Sequence, residues 1–394
     1  MPVDLLQAQK QIKEKSQKAG LKLSELKQRI DQASELLKAS ANEIERLTER
    51  VEKALAKNIG LRCAVPCCEP LDQTTPAKNI PGAHVILAAD GSQIAPSRHD
   101  RVEFGVINTG VFRMEAGGSF PKPPDEIIHS RLLFGDDLEY KGRKVTEDLI
   151  ALWRDLDERR VLAELAAQED LPVVALTDGP LELYQEPKQQ EEFASLFQDY
   201  LLELGKLAAL GVVTAGYVEK PRADLVVKLL ELATLKEEDL EQAGHFHPFG
   251  GVTDLDLFKP LLEPGERSAL FRLQSVSAKN YEGELGLYFY YLKSGSRERS
   301  TLARVEIPAW VARDPERIER AHAVLVRQCE QMGNRPYPYA LHRAHEIAVV
   351  HREEKQALED MIVAELYRLG IRVGEESNKQ VHKENSGSRT RYTR

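Results

Sequence analysis

Two apolar segments end on the same pair of residues, and this constrains what the chain can fold into more than any other feature. His84-Val85-Ile86-Leu87-Ala88-Ala89 runs into Asp90-Gly91-Ser92, and Val173-Val174-Ala175-Leu176-Thr177 runs into Asp178-Gly179-Pro180. Short, continuous runs of β-branched and aliphatic residues read as strands covered on both faces, the pattern of a sheet sandwiched by helices. A second strand over 102–112 is the expected antiparallel neighbour of the first. Helical and strand patterns then alternate: helix 145–168, helix 189–209, strand 211–219, helix 223–235, β-rich runs over 285–292 and 302–310, helix 315–332 and a helix pair over 340–370. Residues 236–265 read as a polar insertion. Such alternation specifies an α/β core with a largely central sheet.

Ahead of this core, residues 3–57 read as helix, rich in Lys, Glu, Gln, Ala and Leu and free of proline. Gly20 is expected to separate a short first helix from a long second one. In the second, Leu23, Leu26, Ile30, Ala33, Leu37, Ile44, Leu47, Val51 and Ala54 follow a three–four spacing with Ser40 in the one gap. A seam sustained this long predicts a coiled-coil-like or hairpin helical arm, with an amphipathic helix lying on its own domain as the alternative. Pro66, Pro70, Pro76 and Pro81 mark 61–82 as a linker. The organisation expected is a helical arm over 1–60, that linker, a catalytic domain over 83–373 and a disordered basic tail over 374–394, carrying Lys379, Lys383, Arg389, Arg391 and Arg394.

The chemistry follows from the strand ends. In open α/β sheets, sites form at the carboxyl edge, where Asp90 and Asp178 are placed. If the two strands are neighbours, their carboxylates converge, and paired carboxylates suit the hard cations Mg²⁺ and Mn²⁺. The bland reading of each Asp-Gly is ordinary turn chemistry. A third acid is expected from the helix over 145–168. Its apolar stripe runs through Leu149, Trp153, Leu156 and Ala163, and Glu164 lies about 60° from the centre of that stripe at about 100° per residue. Glu158 falls on the opposite side, so Glu164 is the acid expected to look inward. An Arg160–Glu164 surface pair is the competing account. Near the C-terminus, Tyr337-Pro338-Tyr339-Ala340-Leu341-His342-Arg343-Ala344-His345-Glu346 concentrates groups that ligate metals or contact phosphate. It is not an H-E-x-x-H zinc motif, because position 349 is Val349.

Composition sets bounds. The chain carries 54 basic and 63 acidic residues, a formal net charge of −9, whereas nucleic-acid binders are usually basic. The imbalance is compatible with a nuclease, which needs only a local basic groove around an acidic metal site. Cys63, Cys67, Cys68 and Cys329 form no C-x-x-C pair, which argues against structural zinc and suits a reducing cytoplasm. The N-terminus lacks a signal-peptide pattern, and no apolar run approaches the ~20 residues of a membrane span. A soluble, cytoplasmic protein is expected.

These pieces, in this order, resemble the NurA nuclease family. The residues carrying the resemblance are Ala89 to Ile94 with Arg98-His99, Val106 to Gly110, Arg160 to Glu164, Thr177 to Leu181, Ala215 to Lys220, Thr253-Asp254, Tyr337-Pro338 and Ala344-His345. The resemblance implies a ribonuclease-H-like fold and a manganese-dependent nuclease holding two ions. It implies 5′–3′ exonuclease and single-strand endonuclease action on DNA ends, in double-strand break resection. It further implies a homodimer and a hexameric translocase partner of the HerA type. Carried over by position, the acids are Asp90, Glu164 and Asp178, with Glu158 the rival for the helix position, joined by Tyr337 and His345. Glu219-Lys220 departs from the plainly basic stretch expected there. A catalytically decayed dimeric adaptor is the runner-up. A small-molecule phosphohydrolase is disfavoured, since neither G-x-x-x-x-G-K nor G-x-S-x-G occurs.

Overall fold

The computed structural model describes residues 4–79, 82–119, 121–183, 190–371 and 373. In chain order its elements are α1 (Leu5–Ala39), α2 (Ile44–Lys57), β1 (Cys63–Pro66), β2 (Thr74–Pro76), β3 (His84–Ile94), β4 (Phe104–Ala116), β5 (Asp125–Phe134), β6 (Glu139–Tyr140), β7 (Arg143–Lys144), α3 (Glu147–Ala166), β8 (Val173–Asp178), α4 (Gln190–Ala209), β9 (Val213–Glu219), α5 (Leu225–Thr234), α6 (Asp254–Leu261), β10 (Glu266–Ser268), β11 (Phe271–Gln274), β12 (Leu287–Gly295), β13 (Ser300–Pro308), α7 (Ala309–Ala312), α8 (Pro315–Gln331), α9 (Tyr339–Ala348) and α10 (Arg352–Arg368). The fold is mixed α/β, as the alternation of patterns requires. The chain divides into two compact units. One comprises Met1–Pro81, Asp178–Tyr184 and Val213–Tyr339, and the other Gly82–Thr177, Gln185–Val212 and Ala340–Arg394.

The second unit is built on a mixed sheet in the order β8-β3-β4-β5. β3 pairs in parallel with β8 and antiparallel with β4, and β4 pairs antiparallel with β5. Val85 to Ala89 and Val173 to Thr177 are all buried, which is why both runs are continuously apolar. α3 packs on β3 and β4 and also against α4. Near the start of β4, Phe104, Val106 and Ile362 form a buried cluster with Leu358 and Leu366, which seats α10. β5 was not legible in the sequence. It lies at the end of the strand order and is exposed on both faces over most of its length, so it shows no alternation of apolar and polar residues.

The first unit holds the antiparallel order β1-β11-β12-β13-β9, with β10 pairing β12 and β2. The expectation of a linker over 61–82 is therefore corrected. β1 pairs with β11 and β2 with β10, and Leu61, Cys63, Ala64, Val65 and Leu71 are buried. Pro66 and Pro76 close these two peripheral strands, positions where proline's missing N–H costs least. The polar stretch after α5 is also more than an insertion. Asp254 is fully buried and accepts the N–H groups of Val226 (3.0 Å) and Val227 (2.9 Å), so it caps α5, and Tyr291 donates to it.

The N-terminal helices depart from the expected arm. α1 runs through Gly20 without interruption, and the break falls at 40–43, where Ser40 filled the gap in the seam. The later seam residues Ala33, Leu37, Leu47, Val51 and Ala54 are buried within the first unit, where α1 packs on α5 and α6, and α2 on α5 and β1. Arg50 Nε donates to Leu232 O (2.6 Å) and Asn58 Nδ2 to Leu240 O (2.7 Å), tying α2 to the same surface. The seam thus buries itself on its own unit, the alternative to a free arm. The tail expected over 374–394 lies outside the described residues. Among those described, no helix is long and apolar enough to cross a membrane.

Leu47 is fully buried, whereas Leu23, on the same seam, is 65% exposed. Leu47→Ala is expected to cost ~2–5 kcal/mol by leaving a cavity, and Leu23→Ala at most about 0.5 kcal/mol. Urea denaturation of the full chain checks this, and equally small effects would return the helices to a free arm.

Candidate functional site

Asp90 does not end its strand. β3 continues to Ile94 and stays paired with β4 to its last residue, with Asp90 opposite Gly110. What stops near Asp90 is the other ladder, whose last parallel pair is Ala89–Thr177. Burial follows this change, because His84 to Ala89 are buried and Asp90 to Ile94 only half-buried. The turn reading of Asp90-Gly91 is thereby excluded. Asp90 stands within a continuing strand at the point where its parallel neighbour's pairing ends.

α9 brings a second group to this point. It crosses β4 at Gly110 so closely that a Cβ there would lie 2.5 Å from Ala348 N and 2.8 Å from Ala344 O. Ala340, Ala344 and Ala348 are buried along this helix, so small side chains meet a strand position with none. Asn108 Nδ2 donates to Ala348 O (2.8 Å), and Ser92 Oγ donates to the same carbonyl. Ser130 Oγ donates to Asn108 Oδ1 (2.6 Å) and so orients the amide. These bonds satisfy a carbonyl of the last helical turn and fix the helix on the sheet. With α9 so placed, His345 Nδ1 lies 2.6 Å from Asp90 Oδ2, the ring N–H donating to the carboxylate. His342 lies instead beside Glu346, with 3.6 Å between Nε2 and Oε1.

The third group comes from α3, and it is Glu158. A Cβ on Gly91 would lie 2.8 Å from Glu158 Oε1 and 2.5 Å from Arg154 Cγ, so Gly91 admits both side chains against β3. Glu158 is buried between Arg159 Nη1 (3.1 Å) and Arg154 Nε (3.7 Å). Burial pushes its carboxyl up to about 8; Asp155 and Asp90 add to the rise, and Arg159 and Arg154 oppose it. Glu164 is exposed, so the expectation that it faces the sheet is corrected. Arg159 donates to Tyr200 of α4 while the adjacent Glu158 meets β3, so α3 is covered on two sides. A helix buried on two sides has no single apolar stripe, and the stripe through Leu149, Leu156 and Ala163 therefore does not mark the face next to β3.

The remaining expected residues belong to the first unit. Asp178 is exposed at the end of β8. Tyr337 is half-buried, its ring edge-on to Tyr217 at 5.5 Å. Arg154, Gly110 and Asn108 were not singled out for the roles their positions give them. The stretch Val106 to Gly110 carried the only signal for the last two.

Among the described residues, no three His, Cys, Asp or Glu side chains converge into a ready-made metal cage. The donor chemistry nevertheless fits a hard divalent cation. Asp90 and Glu158 are carboxylates at one place, Glu158 desolvated, and Mg²⁺-type sites are commonly held by one or two carboxylates with water and substrate phosphate filling the rest. Gly110→Ala is expected to lift α9 from β4 and separate His345 from Asp90. Mn²⁺ binding should weaken about tenfold, the usual scale for a group orienting a ligand, while far-UV circular dichroism stays unchanged; binding as tight as in the wild type would show that α9 need not lie this close.

A family model of the NurA domain matches residues 84–350. Among solved structures, the chain is similar to the NurA nuclease from Sulfolobus solfataricus, at 12% identity over 84% of this chain and 95% of that one, with a TM-score of 0.45. It is also similar to LC9-RNase H1, a type 1 RNase H, at 16% identity over 35% of this chain and 64% of that one, TM-score 0.22. Drosophila Piwi matches at 11% identity over 67% of this chain and 29% of that one, TM-score 0.25. None of the curated proteins compared with the chain matches it. The family match begins on the first residue of β3 and ends just past α9, spanning more than half the chain, and the chain belongs to the NurA nuclease family.

Proposed function

We propose that this chain is a metal-dependent deoxyribonuclease acting on DNA ends. The observation that carries the reading is the contact of His345 with Asp90 where the parallel ladder stops, with the buried Glu158 lying against the adjoining Gly91. Asp90 and Glu158 would hold Mn²⁺ or Mg²⁺, with the imidazole of His345 as a further ligand. Asp178, in the first unit, is proposed as a metal ligand because the family resemblance implies it, as it implies two ions. A bound ion of this kind supplies Lewis acidity and an activated water for phosphodiester hydrolysis. Arg159 and Arg154 flank Glu158 and offset part of the cost of ionising it in a buried setting. His345 donates Nδ1–H to the Asp90 carboxylate and so orients it, which leaves the Nε2 lone pair of its exposed ring as the atom that would ligate the cation. Tyr337 is proposed to position the DNA strand. Glu158 takes the role first assigned to Glu164, since only Glu158 lies against β3.

The finer reading follows the family: 5′–3′ exonuclease and single-strand endonuclease activity in break resection, a homodimer, a HerA-type hexameric ATPase as partner, and a cytoplasmic setting. The acid–histidine cluster weighs against the decayed adaptor, which would have no use for a desolvated carboxylate beside Asp90.

The test is release of nucleotides from labelled linear DNA. Cleavage should vanish in chelator and return with added Mn²⁺. Asp90→Asn and Glu158→Gln should each reduce turnover by about 100-fold or more, His345→Ala by about 100-fold, and His342→Ala and Glu164→Gln by much less. Loss of activity in Glu164→Gln with Glu158→Gln near normal would reverse the assignment. Metal-independent cleavage would sink the reading altogether.

A further inference from the structure

The chain that leaves β8 after Asp178 is pinned by several buried groups, none of which the site described above uses. Gly179 N donates to Tyr217 O (2.9 Å), with the glycine at φ +85. A Cβ on Gly216 would lie 2.7 Å from Gly179 O, so this carbonyl rests on a glycine. Leu181 N donates to Glu306 Oε2 at 2.9 Å, and Glu182 N reaches the same oxygen at 3.4 Å. Tyr281 Oη donates to Leu181 O (3.1 Å) and accepts from Leu183 N (2.9 Å). The side chain of Glu182 is itself held by Arg62, Ser275 and Ser277. All these residues belong to the first unit.

Glu306 is fully buried and paired with Arg304 at 2.7 Å. Burying such a pair contributes little to stability compared with apolar packing of the same volume. What it supplies is geometry, because a fixed carboxylate accepting two successive N–H groups allows the following backbone one path. We infer that Tyr281 and Glu306 are positioning residues for Asp178, holding the 179–183 backbone so that the Asp178 carboxylate meets a divalent cation in one orientation. The inference rests on the proposed role of Asp178 as a metal ligand. A purely structural role would show in stability alone; a positioning role shows in metal affinity.

The experiment is direct Mn²⁺ binding to the full chain, read by electron paramagnetic resonance of the free ion, for the wild type, Asp178→Asn, Tyr281→Phe, Glu306→Gln and Glu306→Ala. Thermal melting is measured alongside. Tyr281→Phe removes one hydroxyl and is expected to weaken Mn²⁺ binding about tenfold, the usual scale for a group orienting a ligand, while the buried backbone groups it leaves unpaired lower the melting temperature by only a few degrees. Its kcat on DNA should fall while KM stays within about twofold, as for an interaction made only in the transition state. Glu306→Gln, which keeps an acceptor, should be milder than Glu306→Ala. If Asp178→Asn binds Mn²⁺ as tightly as the wild type, the role of Asp178 falls and the inference with it. If Asp178→Asn weakens binding while Tyr281→Phe and Glu306→Ala do not, the inference alone is overturned. Should Tyr281→Phe not fold, the two Glu306 variants decide in the same way.

Discussion

The closeness of α9 to β4 at Gly110 is the constraint on which the site depends. Interiors are packed to near-crystalline density, so a backbone 2.5 Å from where a Cβ would stand leaves nothing to yield. The alanines along the buried side of α9 and the two side chains that bind Ala348 O turn that approach into a fixed seat. Asp90 is the partner of Gly110 across the ladder, so seating the helix there puts His345 within hydrogen-bond reach of Asp90. Backbone sterics thereby set the distance between two chemical groups that are 255 residues apart in the chain.

Electrostatics carry the second half of the arrangement. A carboxylate buried as deeply as Glu158 is costly unless it is paired, and Arg159 and Arg154 offset only part of that cost. Asp90 and Asp155 act against the remaining charge. The cluster is therefore under electrostatic tension that a divalent cation or a change of protonation relieves. Perturbed carboxyls of this kind concentrate at functional sites. The missing Cβ at Gly91 lets Glu158 and Arg154 lie directly against the strand, so a second glycine sets a second distance.

Much of this was open to a reader of the sequence, for identifiable reasons. The strands through Val85–Ala89 and Val173–Thr177 are buried on both faces, and only apolar residues tolerate that, so their runs and the acids at their ends stand out. α8 was expected over 315–332, and in the structure Asp314 caps it with Pro315 in its first turn. The signals failed where burial was not one-sided. β5 is wet on both faces, and β1 and β2 are short and close on proline, so a stretch that is part of a sheet reads as a linker. The seam over α1 and α2 was visible, but its partner was not. An apolar seam states that something covers it without stating what, and here α5, α6 and β1 of the same unit do so.

The sequence by itself determined the α/β class and marked Asp90 and Asp178 as the acids that follow its two buried apolar runs, while the choice of His345 over His342 came from the resemblance to the family. The first two follow from local rules: strand burial and the order of residues along the chain. Only the tertiary structure decided that Asp90 sits within a continuing strand, that Glu158 rather than Glu164 reaches β3, and that the backbone after Asp178 is clamped by Tyr281 and Glu306. The physical reason is common to all three. Which ladder stops first, which side of a helix meets a sheet, and which buried group accepts a given N–H are settled by elements distant in sequence. Helical periodicity can say that α3 has buried sides, but with the sheet on one and α4 on another it cannot say which acid faces which.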